Sequence, residues 1–165
     1  MIRSVVVIGP SGNGKSTLAR ALADRLGWHF IEGDDHHPPA NIARMARGEP
    51  LSDADRAPFL ASIGQALAQA DGAVASCSAL KRSYRQTLER IGGPILFVWP
   101  KVARAELLRR MEQRQDHFMP PSLLDSQIAA FEPPASGERA MVVDALRPPA
   151  ELAAEIAAEI ATKIV

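Results

Sequence analysis

A run of eight residues near the N-terminus constrains the fold more than any other part of this chain. Residues 9–16 (GPSGNGKS) match the pattern G-x-x-x-x-G-K-[ST] in full. They follow a β-branched run at residues 5–8, and they precede leucines spaced by four, Leu18, Leu22 and Leu26. The pattern requires a buried strand before it and a helix after it, and this chain supplies both. The run therefore predicts a strand, a phosphate-binding loop and a helix, in that order.

The chemistry of this loop indicates a nucleoside triphosphate and a metal ion. Glycines let successive backbone N–H groups point into one concavity, and the helix N-terminus adds a partial positive charge. Lys15 can then reach the β- and γ-phosphates, and the Ser16 hydroxyl can ligate Mg²⁺. The complete match and its flanks disfavour the alternative, a glycine-rich turn with an incidental lysine. The candidate phosphate-binding residues are Gly9, Ser11, Gly12, Asn13, Gly14, Lys15, Ser16 and Thr17.

Strand-like and helix-like segments alternate along the rest of the chain. Short apolar runs predict further strands at residues 28–31, 73–76, 95–99 and 141–143. Between them lie apolar residues at helical spacing, and Ser52 with Asp55 predicts a capped start for a helix that stops at Asp71-Gly72. This alternation predicts a single α/β domain, residues 1–165, with a parallel sheet covered on both faces. Residues 115–139 contain four prolines and few β-branched residues, so we interpret them as a mobile, lid-like excursion within that domain.

Composition excludes several classes of function. Nineteen basic and nineteen acidic side chains give a formal net charge of zero, so we expect no nucleic-acid partner and no anionic membrane surface. No apolar stretch is long enough to span a bilayer, and the run at residues 5–8 is too short for a signal peptide. The single cysteine, Cys77, excludes an internal disulfide framework. We therefore expect a cytoplasmic protein that acts on small molecules.

An acidic cluster follows the second predicted strand. Glu32, Asp34 and Asp35 lie at the carboxyl end of that strand, where ligands bind in open parallel sheets. The third strand ends in small and hydroxyl side chains and lacks the usual metal-binding aspartate, and the chain has no guanine-reading N-K-x-D motif. A carboxylate here can accept a proton from an attacking hydroxyl. Glu32 and Asp34 share one side of the strand if its pleat continues that far; the alternative is a solvated acidic turn.

A mixture of amide, imidazole and cationic side chains surrounds this cluster. Such a mixture suits a small, hydroxyl-rich anion better than a flat base. Adjacent His36 and His37 lack a third ligand at standard spacing, so a metal site there is disfavoured. Arginines in this region can also be solvated helix faces or surface ion-pair partners. The candidate acceptor-binding residues are Asp34, His37, Asn41, Arg44, Arg56, Lys81 and Arg85.

Several blocks of sequence together resemble the gluconate kinase (gluconokinase) family. They are residues 33–38 (GDDHHP), 41–45 (NIARM), 48–51 (GEPL), 53–56 (DADR), 77–81 (CSALK), 84–85 (YR), 117–119 (HFM), 126–127 (SQ) and 132–133 (EP). With the phosphate loop they cover nearly the whole chain. The resemblance implies ATP-dependent phosphorylation of the 6-hydroxyl of D-gluconate, to give 6-phospho-D-gluconate and ADP. It also implies the P-loop fold of the shikimate and nucleoside-monophosphate kinases, three layers with five parallel strands in the order 2-3-1-4-5.

The resemblance further implies a homodimer, a lid at residues 115–139 and an adenine contact at residues 144–148. Within that scheme Lys15 grips the phosphates, Ser16 holds Mg²⁺ with help from Glu32, and Asp34 accepts the proton of the acceptor hydroxyl. Arg110 and Arg114, four apart on one helix face, are expected to contact the transferring phosphate, although an exposed helix face is the alternative. Arg56 is the first candidate for the acceptor carboxylate because a guanidinium can bind it bidentately, with Lys81 and Arg85 as rivals.

Two other functions remain open at this point. One is another small-molecule kinase on the same scaffold, acting on shikimate or a nucleoside monophosphate. The other is a module that binds ATP without transferring its phosphate. The acidic cluster beside the loop and the arginine pair count against the second.

Overall fold

A computed structural model describes residues 1–113, 120 and 122–163 of the chain. The strands are β1 (Ser4–Val7), β2 (His29–Glu32), β3 (Ala73–Ser76), β4 (Ile95–Lys101) and β5 (Ala140–Asp144). The helices are α1 (Lys15–Leu26), α2 (Pro39–Ala46), α3 (Asp53–Gln69), α4 (Arg82–Gly92), α5 (Arg104–Gln113), α6 (Leu123–Ala130) and α7 (Pro149–Thr162). A single 3₁₀ turn, Gly33–His36, follows β2 in this described part of the chain.

All five strands are parallel and lie in the order β2-β3-β1-β4-β5, as the resemblance implies. Strand β1 is central because it pairs with β3 on one side and β4 on the other. Its apolar run is explained by burial on both faces: Val6 and Ile8 point into one core, and Val5 and Val7 into the other. The expectation of a parallel sheet covered on both faces is confirmed.

Each face of the sheet is covered by a pair of helices. On one face α3 and α4 contribute Phe59, Ile63 and Leu88 to the core. On the other face α1 and α7 contribute Leu22 and Ile156. These residues belong to the helical stripes that the sequence predicts, so the three-layer arrangement follows directly from their spacing.

Two helix ends agree with their sequence signals. Gly27 ends α1 with a left-handed backbone, φ 66°, and its N–H bonds back to the last turn. Ser52 and Asp55 form a complete capping box at the start of α3, in which each side chain accepts the other residue's backbone N–H. The far end of α3 lies at Gln69, ahead of the predicted stop at Asp71-Gly72.

Two expectations need correction. The pleat of β2 does not continue to Asp34, because the chain turns into the 3₁₀ helix immediately after Glu32. Residues 122–139, within the proline-rich segment, contain helix α6, which the sequence reading did not predict. Leu123 and Leu124 of α6 are buried against two different neighbours, so packing stabilises a helix that the flanking prolines concealed.

Gly33 is the residue that allows the 3₁₀ turn to pack against the end of β3. A β-carbon on Gly33 would lie 1.9 Å from the carbonyl oxygen of Ser76, so Gly33→Ala must displace backbone. We expect this variant to lower the free energy of unfolding by about 3 kcal/mol. In Gly27→Ala the added carbon meets open space, and only the left-handed backbone costs about 1 kcal/mol. Urea unfolding measures both, and equal losses would show that the Gly33–Ser76 approach is unimportant.

Candidate active site

The phosphate loop owes its shape to three glycines with left-handed backbone angles. Gly9, Gly12 and Gly14 have φ of 126°, 89° and 83°, a region that other residues rarely adopt. At Gly9 a β-carbon would also lie 2.4 Å from the side-chain nitrogen of Asn13. These glycines therefore allow the tight backbone bends of the loop and the close approach of the Asn13 side chain to Gly9.

Asn13 holds this loop against the sheet. Its side-chain nitrogen donates to the carbonyls of Ile8 at 2.9 Å and Pro100 at 3.3 Å. Its side-chain oxygen accepts from the backbone N–H of Lys15 at 3.1 Å. Asn13 is 2% exposed, so its side chain is a brace for the loop, a role that the motif alone does not reveal.

A cavity of about 340 Å³ lies against the loop, and we call it the phosphate cavity. This cavity brings Lys15, Ser16 and Thr17 together with Asp34 and Arg110, which lie far from them in the sequence. The full lining is Ser11, Gly12, Gly14, Lys15, Ser16, Thr17, Asp34, Arg110 and Gln113. We also predicted Gly9 and Asn13 as phosphate-binding residues, but these two members of the loop are not part of the cavity lining.

The amide of Ser11 requires a further correction. We expected backbone N–H groups from Ser11 onward to face the phosphates, but the Ser11 N–H donates to the side-chain oxygen of Gln127 at 2.8 Å. Gln127 lies on α6, 116 residues further along the chain. The Ser11 N–H is therefore directed toward α6 in this structure.

Arg110 forms one wall of this phosphate cavity. It donates to the carbonyl of Gly12 at 3.1 Å, to that of Ala145 at 3.4 Å and to Glu106 at 3.0 Å. Hydrogen bonds from Arg109 and Arg110 lower the pKa of Glu106 to about 2, so this carboxylate stays charged and holds the guanidinium in place. Arg114, the other predicted member of the pair, lies outside the described residues.

Glu32 lies beside the loop in a network of hydroxyl groups. Its carboxylate accepts from Ser16 Oγ at 3.1 Å and from Ser76 Oγ at 2.7 Å. Ser76 Oγ also accepts from the backbone N–H of Gly33 at 3.2 Å. Sequence reasoning passed over Ser76 as one of the small residues ending β3; its position at the same sheet edge was the available signal.

The oxygen atoms of Ser16 and Glu32 suit Mg²⁺. Magnesium prefers hard oxygen ligands and takes few from the protein, since substrate phosphates and water supply the rest. Within residues 1–113, 120 and 122–163, no group of three His, Cys, Asp or Glu side chains could hold a metal ion by itself. The donor set therefore fits a metal bound together with a nucleotide.

A second, smaller cavity of about 30 Å³ adjoins the first. Ser11, Lys15 and Asp34 line both, so these residues stand at the junction. The lining of the second cavity is Ser11, Lys15, Asp34, His37, Met45, Leu51, Arg56, Ser78, Leu80 and Gln127. We call it the acceptor cavity.

Of the predicted acceptor cations, Arg56 is the one that lines the acceptor cavity. It donates to the Leu51 carbonyl at 2.6 Å and to the Tyr84 hydroxyl at 3.2 Å, and it lies 5.3 Å from the Tyr84 ring centroid. Lys81 pairs with Asp53 at 3.2 Å, to one side of this cavity. Arg44 lies within 4.0 Å of Glu49, and both side chains are about half exposed.

Arg85 has a structural environment. Its side chain is 1% exposed and pairs with Glu138 at 2.7 Å. Its remaining N–H groups donate to the carbonyls of Ala79, Leu80 and Glu132. Ala79 has φ of 40°, an unfavourable left-handed conformation for alanine, and this hydrogen bond helps to hold it. Arg85 therefore supports the wall of the acceptor cavity from behind, instead of facing an acceptor.

His37 lines the acceptor cavity as a neutral imidazole. Its ring stacks on Phe59 with centroids 3.7 Å apart, and Asn41 donates to its Nδ1 at 3.3 Å. Burial lowers the pKa of His37 to about 4, with Arg56 acting in the same direction and Asp34 opposing it. With Nδ1 accepting, the proton is on Nε2. Asn41 itself is 4% exposed and also donates to the Asp55 carbonyl at 2.8 Å, so it positions the histidine.

A third cavity, about 330 Å³, lies beyond the loop on the side away from the acceptor. It is lined by Leu146, Arg147 and Pro148, which follow β5, together with Thr17 and Arg110 of the phosphate cavity. The segment 144–148 that we expected to contact adenine thus borders the phosphate cavity.

Comparisons with known proteins agree with this geometry. A family model described as an AAA domain matches residues 5–134. The gluconokinase of Gluconobacter oxydans is 51% identical over 140 residues, which are 82% of this chain and 79% of the relative. The crystal structure of a gluconokinase from Sinorhizobium meliloti is 43% identical with a TM-score of 0.83, covering 97% of this chain and 96% of the other. A sugar kinase from Janibacter, solved unliganded, is 39% identical with a TM-score of 0.88, over 94% and 92% of the two chains.

The partly buried His37 makes stability depend on pH. As the pH falls, the unfolded histidine takes up a proton near its ordinary pKa of 6.5, while the folded one resists until about 4. Stability is therefore lost between pH 6.5 and 4 and this loss ends below pH 4. We expect His37→Gln to flatten that decline, as measured by urea unfolding from pH 7.5 to 4. The control is His29→Gln, an exposed position on β2, and the same slope in both variants would contradict this account.

Proposed function

The chain belongs to the gluconokinase family, and we propose that it transfers the γ-phosphoryl group of ATP to the 6-hydroxyl of D-gluconate. The products are 6-phospho-D-gluconate and ADP. One observation carries the proposal: the phosphate cavity and the acceptor cavity meet at Lys15 and Asp34. A cation for the phosphates and a carboxylate for the attacking hydroxyl therefore stand at the point where two substrates would touch.

The nucleotide side of the reaction depends on charge and position. The remaining loop amides and the Lys15 ammonium bind the β- and γ-phosphates, since the N–H groups of Ser11 and Lys15 donate to Gln127 and Asn13. Arg110 neutralises charge from the opposite wall. Phosphoryl transfer needs little covalent work from the protein, so such positioning supplies most of the catalysis. The adenine ring of ATP lies in the cavity beside residues 144–148.

Magnesium is part of the proposal. Ser16 and Glu32 would hold the ion, Ser16 directly and Glu32 through water. When bound, Mg²⁺ neutralises developing charge on the phosphate oxygens. Ser76 keeps the Glu32 carboxylate oriented toward Ser16 by its hydrogen bond, and that orientation is a property of the chain itself.

On the acceptor side, each group has a distinct role. Arg56 binds the carboxylate of gluconate, since its guanidinium can meet both oxygens. His37 donates a hydrogen bond from its Nε2–H to a hydroxyl of the sugar acid, because Asn41 occupies Nδ1 of the neutral ring. Asp34 orients the 6-hydroxyl and accepts its proton as transfer proceeds.

Residues 115–139 act as the lid in this proposal, and Arg110 and Arg114 swing onto the transferring phosphate as it closes. Closure would exclude water and suppress hydrolysis of ATP. The helix α6 that the structure describes within this segment lies against the acceptor cavity through Gln127, which supports a role in covering the acceptor.

A cytoplasmic location and a homodimer complete the proposal. The single cysteine agrees with a cytoplasmic location. The zero net charge does not suggest a nucleic-acid partner or an anionic membrane surface. None of the described helices is long and apolar enough to cross a membrane. The homodimer depends on the family resemblance, and sedimentation velocity of the purified protein would test it.

The function is tested by an acceptor panel in a coupled ADP-release assay. Gluconate, other aldonates, shikimate and nucleoside monophosphates are compared, and the phosphorylated product is identified by ³¹P NMR. We expect gluconate to be preferred and Lys15→Ala to abolish transfer while the fold persists. Preference for shikimate or a nucleotide would select another kinase of this fold, and ATP binding without any transfer would indicate a nucleotide-binding module.

Asp34 is expected to act as the base. In Asp34→Asn we expect kcat to fall by about 10²–10⁴-fold while gluconate still binds, because the amide cannot accept the proton. Asp35→Asn is the matched control, since Asp35 lies in the same 3₁₀ turn but lines neither the phosphate cavity nor the acceptor cavity. Steady-state kinetics measures kcat, and isothermal calorimetry measures the binding of gluconate. An unchanged kcat in Asp34→Asn would refute the assignment.

Arg56 is expected to bind the carboxylate. Arg56→Ala should raise the gluconate KM by about 30-fold and leave the ATP KM little altered, because a charge-assisted contact is lost on one side only. Lys81→Ala is measured beside it, since Lys81 is the rival cation. A larger effect in Lys81→Ala, or a rise in the ATP KM alone, would move the carboxylate site elsewhere.

A further inference from the structure

Helix α6 reaches the acceptor cavity through Gln127 and packs against its neighbours through other side chains. Leu123 packs with Met45 and Leu51, and both of those residues line the acceptor cavity. Leu124 packs with Leu107 of α5, the helix that carries Arg110. Directly after α6, the Glu132 N–H donates to the Leu80 carbonyl at 2.7 Å, and Leu80 lines the same cavity.

Gln127 connects this helix to the phosphate loop. It follows Leu123 by one helical turn, so both residues lie on the face of α6 that meets the acceptor side. Its side-chain oxygen accepts the Ser11 N–H at 2.8 Å, and its side chain is half-buried at the edge of the acceptor cavity.

The Ser11 amide is the one available to α6 at this point of the loop. The Gly9 N–H already donates to the Ser78 carbonyl at 3.0 Å, and Pro10 has no N–H. Ser11 is therefore the first residue of the loop whose N–H can bond to α6. This N–H donates to Gln127, at the junction of the two cavities.

We propose that Gln127 is a positioning residue that ties α6 to the phosphate loop at Ser11 and thereby decides whether the phosphoryl group goes to the acceptor or to water. With the bond made, α6 closes the acceptor side of the junction beside Lys15 and Asp34. With the bond lost, the wall separates from the loop and water reaches the γ-phosphate. The inference deepens the proposed function and rests on it for the identity of the acceptor.

Two substitutions at Gln127 and one beside it test this role. Gln127→Leu keeps the approximate side-chain volume and removes the oxygen that accepts the Ser11 N–H. Gln127→Glu keeps that oxygen but adds negative charge next to the phosphates. Ser126→Ala is the matched control, because Ser126 Oγ donates to the Leu123 carbonyl within α6 and Ser126 lines neither the phosphate cavity nor the acceptor cavity.

The measurement is the ratio of ATP hydrolysis without acceptor to phosphogluconate formed at saturating gluconate. Partial unfolding lowers both rates equally, so this ratio does not respond to a purely structural defect. We expect Gln127→Leu to raise the ratio about tenfold, the scale of one hydrogen bond. Ser126→Ala should leave it unchanged. Gln127→Glu should keep the ratio near that of the parent protein while raising the ATP KM.

The outcomes separate this inference from the proposed function. If the parent protein phosphorylates gluconate but Gln127→Leu has the same ratio as Ser126→Ala, the inference is overturned and the function stands. Equal ratios in Gln127→Leu and Gln127→Glu would also overturn it, because only one of them keeps the bond. If gluconate is not phosphorylated but Gln127→Leu still raises acceptor-free hydrolysis relative to Ser126→Ala, the coupling stands and the proposed acceptor fails.

Discussion

The rest of the site depends on how the phosphate loop is held open. Left-handed backbone at Gly9, Gly12 and Gly14 bends the loop, yet such a loop has no secondary structure to keep it in place. The side chain of Asn13 supplies the missing support, since it bonds to the end of β1, to Pro100 on β4 and to the amide of Lys15. One buried amide thus links the central strand, its neighbour and the residue that grips the phosphates.

Parallel strands bring the remaining chemistry to this loop. In the sheet register Val7 lies opposite Ser76, and Ser76 lies opposite Glu32, so three strands end at one edge. The phosphate loop follows the first of them, a hydroxyl ends the second and a carboxylate ends the third. This convergence is why Glu32 can bond to both Ser16 and Ser76 although they are distant in sequence. The 3₁₀ turn then carries Asp34 around to the junction of the two cavities.

Much of this arrangement could be predicted from local patterns. The loop motif, the leucine spacing of α1 and the capping box of α3 each depend on neighbouring residues, and each is confirmed in the structure. What could not be predicted depends on contacts between distant segments. The sequence favours Arg56 for the acceptor carboxylate but leaves Arg85 as a rival, and only the fold shows that Glu138, 53 residues away, holds Arg85 in the core. Helix α6 was missed for the same reason, because its stability comes from packing rather than from its own sequence.

The two sides of the junction are built differently, and the difference suits their tasks. The phosphate side is attached to the central strand and to α1, and both belong to the large cores on the faces of the sheet. In the described residues, the acceptor side is held by the small cluster of Met45, Leu51 and Leu123 and by individual side-chain bonds. Segments with few buried apolar contacts open at a lower free-energy cost than the core. A rigid nucleotide grip with a separately held acceptor wall allows the sugar acid to enter and leave while the phosphate loop keeps its shape.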